Sequence, residues 1–167
     1  MDREGHYTAA ALETQAFAHA LWQHNGAFGD DSVKKEHINP KELGAPPRFY
    51  SHAVSIAAPA KLVYVSGQVS WGADGKVVGA GDMRAQCKQV FENLTNVLRA
   101  AGGGWDDVIK MNGYMVGLSA DNVAAYRDIR AGYLKSAKLP ASTLVGVTSL
   151  VQPELLIEIE VVAALGS

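Results

Sequence analysis

The stretch from Leu155 to Ala164 constrains this chain more than any other. Read as a strand, its period of two sends Ile157, Ile159, Val161 and Ala163 to one side and Leu156, Glu158, Glu160 and Val162 to the other. The first side is uniformly apolar and needs a layer of helices over it. The second mixes apolar residues with two carboxylates, too apolar for a plain solvated face and too charged for a closed core. A subunit interface that contains a pocket accounts for both properties.

Two helices are available to cover the apolar side. Between Asp82 and Gly102, Met83, Cys87, Val90, Phe91, Leu94, Val97, Leu98 and Ala101 form one stripe, opposite Arg84, Lys88, Glu92, Asn96 and Arg99. Gly102-Gly103-Gly104 ends it, because glycine takes the left-handed conformation that caps the last carbonyls. A second helix opens at Ser119-Ala120-Asp121-Asn122 and carries Val123, Tyr126, Ile129, Tyr133 and Leu134 on its apolar side. Strands are expected at Lys61 to Gly67, with a hairpin turn at Ala73-Asp74-Gly75-Lys76, at Val108 to Val116, and at about Ser142 to Leu150 and Leu155 to Ala164. Gln152-Pro153-Glu154 has the residues of a tight turn between the last two. Strands, helix, strand, helix, strands is an α+β order with both helices on one face of a mixed or antiparallel sheet.

Residues 1–47 differ from this body. Gly26, Gly29, Pro40, Gly44, Pro46 and Pro47 punctuate them and leave room for one regular element, an amphipathic helix over residues 9–24 that buries Phe17 and Leu21 on a partner surface. The expected organisation is an extension, 1–47, and one domain, 48–167; a chain of 167 residues is short for two large cores. Fifteen Lys and Arg against 17 Asp and Glu, interspersed, give a net charge of −2 and no basic face for a phosphate backbone. No apolar run spans a membrane, and the first residues lack the pattern of a secretory signal, so a cytoplasmic chain is expected. The single cysteine, Cys87, excludes an internal disulfide and reads as a small core hydrophobe. His6, His19, His24 and His37 match no zinc spacing, so no metal is expected, and His52 reads as a packed or solvent-facing ring.

Four segments, in order, carry a resemblance. Tyr50-Ser51-His52-Ala53-Val54, Val65-Ser66-Gly67-Gln68-Val69, Asp82 to Leu94, and Leu139-Pro140-Ala141-Ser142-Thr143-Leu144-Val145 with Ile157-Glu158-Ile159-Glu160 resemble the Rid (reactive intermediate deaminase, YjgF-type) family over roughly residues 46–165. The resemblance implies a chorismate-mutase-like fold, a six-stranded mixed sheet with two helices on one face. It also implies a homotrimer with small-molecule pockets at its subunit interfaces and no metal or organic cofactor. Family members with deaminase activity hydrolyse imines or enamines, using an arginine to grip a substrate carboxylate and a glutamate beside the attacking water. Glu158 matches that glutamate and Tyr50 a tyrosine at the pocket entrance; Ser66, Gly67 and Gln68 match the strand end that lines the pocket.

The chain departs from the family where the arginine is expected: Ser142 stands there, and Leu144 stands at the small thiol position two residues later. A hydroxyl supplies neither a positive charge nor a bidentate fork. Poor turnover of 2-aminoacrylate-type imino acids is therefore expected, unless Arg48, two residues before Tyr50, replaces the cation. Some relatives are called ribonucleases, yet no basic groove with interleaved aromatics is present for nucleic acid. The leading expectation is a cofactor-independent enzyme acting on an imine, enamine or related unsaturated metabolite, with Glu158 directing water. The alternatives are a non-catalytic metabolite-binding module, favoured by Ser142 and Leu144, and a pathway-dedicated enzyme for a larger neutral substrate.

Overall fold

The computed structural model describes residues 33–43, 49–57, 61–135 and 138–166. The expected helix over 9–24 and Arg48 lie outside the described residues. Six strands and two helices follow one another as β1 (Lys35–Ile38), β2 (Ala53–Ile56), β3 (Lys61–Gln68), α1 (Met83–Ala100), β4 (Val108–Val116), α2 (Ala120–Tyr133), β5 (Ala141–Val147) and β6 (Ile157–Leu165), with short 3-10 turns at Lys41–Leu43 and Trp105–Asp107.

The helices start and stop where their capping residues dictate. Asp82 accepts from the backbone N–H groups of Arg84 (2.9 Å) and Ala85 (3.1 Å), and Ser119 accepts from that of Asn122 (3.2 Å). After α1 the chain turns through Gly102 at φ +91°, and the Gly103 N–H reaches back to the Leu98 carbonyl at 2.9 Å.

Four strands form the main sheet in the order β3-β6-β4-β5. Strand β6 is antiparallel to both β3 and β4, whereas β4 and β5 run parallel, with Met111 opposite Ser142 and Gly113 opposite Leu144. A parallel pair needs a crossover, and α2 supplies it. The expected turn at Gln152-Pro153-Glu154 therefore does not join neighbouring strands, because β4 lies between β5 and β6. The turn after β3 also forms, with Gly75 at φ +75° and a single bridge between Trp71 and Val77. It does not grow into a hairpin: Gly79 and Gly81, both at positive φ, turn the chain toward α1, and β6 becomes the partner of β3.

Strands β1 and β2 make a separate antiparallel ladder, joined to the main sheet through a parallel bridge from Ser51 to Ala141. The six expected strands are thus divided four and two. Strand β1 also corrects the reading that residues 1–47 hold one regular element, a helix. Its alternation is too short, and its residues too charged, to stand out as a strand without its partner.

The core lies between the main sheet and the two helices. Ile157, Ile159, Val161 and Ala163 are buried on this side together with Met111 and Met115, as the period of two requires. They meet Cys87, Val90, Phe91, Leu94 and Leu98 of α1 and Ala125 and Tyr126 of α2. Full burial of such large apolar side chains contributes roughly 1.5–3 kcal/mol each. Phe91 stacks on Tyr133 at 4.9 Å between ring centroids and packs against Trp105 at 5.3 Å. Burial pushes the Cys87 thiol up to about 12, so it packs as a hydrophobe.

Candidate functional site

The pleat divides the candidate residues between the two sides of the main sheet. Glu158 stands opposite Tyr114, and Glu160 opposite Asn112, on the side away from the helices. The two carboxylates differ in their surroundings. Glu160 Oε1 accepts from Asn112 Nδ2 (2.8 Å) and from the Tyr114 hydroxyl (3.0 Å). That bond, more than burial or the charges of Glu160 and Glu158, holds the Tyr114 phenol above its ordinary pKa. Glu158 has no hydrogen-bond partner among the described residues, and its carboxylate lies against the backbone of Gly67. A Cβ at position 67 would overlap Oε1 and approach Cδ to 2.7 Å, so any larger residue there displaces this carboxylate from its seat.

Gly67 sits where the β3–β6 register slips between Val65 and Gln68. Gln68 Nε2 donates to the Ser66 carbonyl at 3.2 Å and closes this strand end on itself. Beyond it, Asn93 of α1 donates to the carbonyls of Val69 and Trp71, both at 3.0 Å, which fixes the exit of β3. On the same side of the sheet a cavity of about 250 Å³ is lined by Tyr64, Ser66, Lys110, Asn112, Glu160 and Val162. Tyr64 beside it is 76% exposed.

Tyr50, Ser142 and Leu144 gather elsewhere, in a cavity of about 140 Å³ that they line with Phe49, Tyr126, Arg127 and Arg130. The parallel register turns Ser142 and Leu144 to the helix side, and Gly113 leaves the room that Leu144 occupies. The segment carrying Phe49 and Tyr50 is anchored at Ser51. Its N–H donates to the Pro140 carbonyl (3.2 Å), and its hydroxyl to that of Leu139 (2.7 Å). His37 Nδ1 joins this anchor at 3.0 Å from the Leu139 carbonyl, and an oxygen there requires the nitrogen to donate. His37 thus pins a loop. Among the described residues, no group of three or more His, Cys, Asp or Glu could hold a metal ion.

Arg130 is the residue that sequence reasoning passed over. It is 4% exposed, and its buried Nε and Nη2 have no hydrogen-bond partner. Desolvation lowers its pKa, partly offset by the nearby Tyr126 phenol. Burial in turn pushes the Tyr126 pKa up, and the Arg130 charge opposes that shift. Arg127 lies over the Phe49 ring, 4.3 Å from its centroid. A signal for Arg130 was present: it follows Tyr126 by four residues, in line with the apolar stripe of α2, where a cation is out of place.

Two helices on one face of a mixed sheet, with candidate site residues on both sides of it, place the chain in the α+β class with a chorismate-mutase-like arrangement. The chain belongs to the Rid family, also called YjgF or RutC. The sequence profile described as Endoribonuclease L-PSP matches residues 42–165. A RutC family protein of Synechocystis sp. is 31% identical over 129 residues, 77% of this chain and 95% of that protein. The mitochondrial protein MMF1 of Saccharomyces cerevisiae is 33% identical over 106 residues, 64% of this chain and 70% of that protein. The crystal structure of YyfB from Yersinia pestis, a Rid family protein of unknown function, superposes with a TM-score of 0.71 at 39% identity, covering 78% of this chain and 98% of that one. Membership supports a role in binding or processing a small molecule. Among the described residues, no helix is long and apolar enough to cross a membrane.

Proposed function

We propose that this chain is a homotrimeric, cofactor-independent hydrolase of a small imine, or of an enamine that tautomerises to one, with its sites at subunit interfaces. Glu158 directs the water. The observation that carries this reading is the contrast between the two carboxylates: Glu160 is occupied by Asn112 and Tyr114, whereas Glu158 has no partner among the described residues. An unoccupied carboxylate is the one available to orient and deprotonate water. Water oxygen bonds to the C=N carbon, its proton passes through Glu158 to the nitrogen, and the carbinolamine collapses to a carbonyl compound as the C–N bond breaks and ammonia leaves.

Glu158 and the cavity at Ser142 lie on opposite sides of the sheet in one protomer. A site that uses both takes them from two protomers, which supports an interface pocket. Assays of carbonyl and ammonia release from imines generated in situ, both with and without a carboxylate, test the reading. Turnover that falls at least 10²-fold in Glu158→Gln and persists in Glu160→Gln is expected, in line with general base contributions of about 10²–10⁴-fold. Equal activity of wild type and Glu158→Gln overturns it. A non-catalytic binding module is the second reading, favoured by the uncharged Ser142 and the apolar Leu144 where the family has its arginine and thiol; binding without turnover would select it.

A further inference from the structure

We infer that His37 is a positioning residue that holds the two walls of the cavity at Tyr50 and Ser142 in a fixed relation, an assignment that rests on the reading above only in taking this cavity as the substrate's. One wall is carried by Ser51, the residue after Tyr50, and the other by Pro140, two residues before Ser142. They meet where the Leu139 carbonyl accepts from the Ser51 hydroxyl at 2.7 Å and the Pro140 carbonyl accepts from the Ser51 N–H at 3.2 Å. His37 reaches the same junction from a third element, β1. Its Nδ1 lies 3.0 Å from the Leu139 carbonyl oxygen and 3.1 Å from Ser51 Oγ, although Leu139 is 102 residues along the chain. With the hydroxyl and the ring N–H both on it, the Leu139 oxygen has its two lone pairs occupied. Ser51 is buried, so water is a poor substitute for the ring nitrogen there.

Strand β1 is itself braced on both sides of His37. Lys35 Nζ donates to the Asp106 carbonyl at 2.8 Å and to Asp107 Oδ1 at 3.2 Å, and Asn39 Oδ1 accepts from the His52 N–H at 3.0 Å. His37 therefore acts from a fixed strand on two movable pieces, the loop at residues 49–52 and the entrance of β5. Neutral and protonated rings can both keep a hydrogen on Nδ1, so the tie needs a donor and not a charge.

Two substitutions in the full chain separate a donor from a filler. His37→Phe keeps a ring and removes the donor, whereas His37→Asn removes most of the ring and keeps an amide N–H as many bonds from Cβ as Nδ1. Hydrogen exchange of the Ser51 amide, followed by NMR, should quicken about threefold to tenfold in His37→Phe, the effect of one hydrogen bond. It should stay within about twofold of wild type in His37→Asn, and the amides of β6 should be unchanged in both. Turnover of imines generated in situ should follow the same order. In His37→Phe, KM should rise about threefold to tenfold with kcat nearly constant, because a cavity wall acts on binding, and His37→Asn should resemble wild type. A ring that merely packs gives the reverse order, with Phe tolerated and Asn not, and overturns the proposal. Ser51 exchange as slow in His37→Phe as in wild type, or kcat that falls while KM stays constant, also overturns it. Failure of the hydrolase reading is seen separately. A wild type without turnover removes that reading, and the order of Ser51 exchange then decides on His37 by itself. Turnover that needs Glu158, with exchange and KM untouched in His37→Phe, keeps the enzyme and removes the positioning role.

Discussion

Gly67 and Glu158 act as a pair. Because a Cβ at position 67 would overlap the carboxylate, Gly67→Ala must push Glu158 aside or shift β3. The clash falls on a flexible, partly exposed side chain with no hydrogen-bond partner among the described residues, so moving it is cheap. We expect a Tm close to that of wild type and a larger loss of turnover than of ligand binding; unchanged turnover would show that the carboxylate does not need this seat. Tyr114 reports on the neighbouring acid. Its pKa is raised above the ordinary 10.0 chiefly by its bond to Glu160, so the folded chain holds the phenolic proton more tightly than the unfolded chain. The stabilisation is fully present below the ordinary value and is lost as pH rises through the raised one. Glu160→Gln should bring the Tyr114 titration back toward 10.0, followed by phenolate absorbance with Tyr114→Phe as the reference. Glu158 stood out as a candidate in the sequence through the family match, but its freedom relative to Glu160 did not. The register pairs Tyr114 with Glu158, and only the side-chain geometry turns its hydroxyl, together with the Asn112 amide, to Glu160.

Helix α1 does more than cover the core. Gln86, fully buried, donates to the Glu154 carbonyl (2.7 Å) and the Gly79 carbonyl (3.2 Å) and accepts from the Leu156 N–H (2.8 Å). It fixes the turn that leads into β6 and so the register that aims Glu158. Gln86→Leu strands these buried backbone groups and should cost about 2–4 kcal/mol in chemical denaturation; a loss under half a kcal/mol would mean that water replaces the side chain. Both helices, β4 and the two faces of β6 were readable because period and caps are local properties. The β3 hairpin was misjudged because good turn residues do not choose a partner, and β6 offers a longer apolar match than the glycine-rich return. Strand β1 was missed for a related reason: its pairing with β2 and the His37 anchor depend on residues distant in sequence. Arg130 escaped because a charge on a helix is read first as solvent-facing, and only packing shows it buried.

At the scale of the whole molecule, the sheet face opposite the helices is the outstanding feature. Leu62 and Tyr64 are exposed there beside Glu158 and Val162, an apolar surface with polar inclusions that a threefold assembly would cover without leaving an open filament. Light scattering at micromolar concentration should give the mass of a trimer; a monomer would remove the interface pocket. The central claim, that each site draws Glu158 from one protomer and the Ser142 cavity from another, is tested most directly by mixing subunits. Glu158→Gln and a cavity-filling Ser142→Phe variant are each inactive alone in this account. Unfolded together in equal amounts and refolded, they should regain about a quarter of wild-type turnover, since a random pairing supplies both intact halves to about one interface in four. No recovery from a mixture that refolds to trimers would contradict a site shared between protomers.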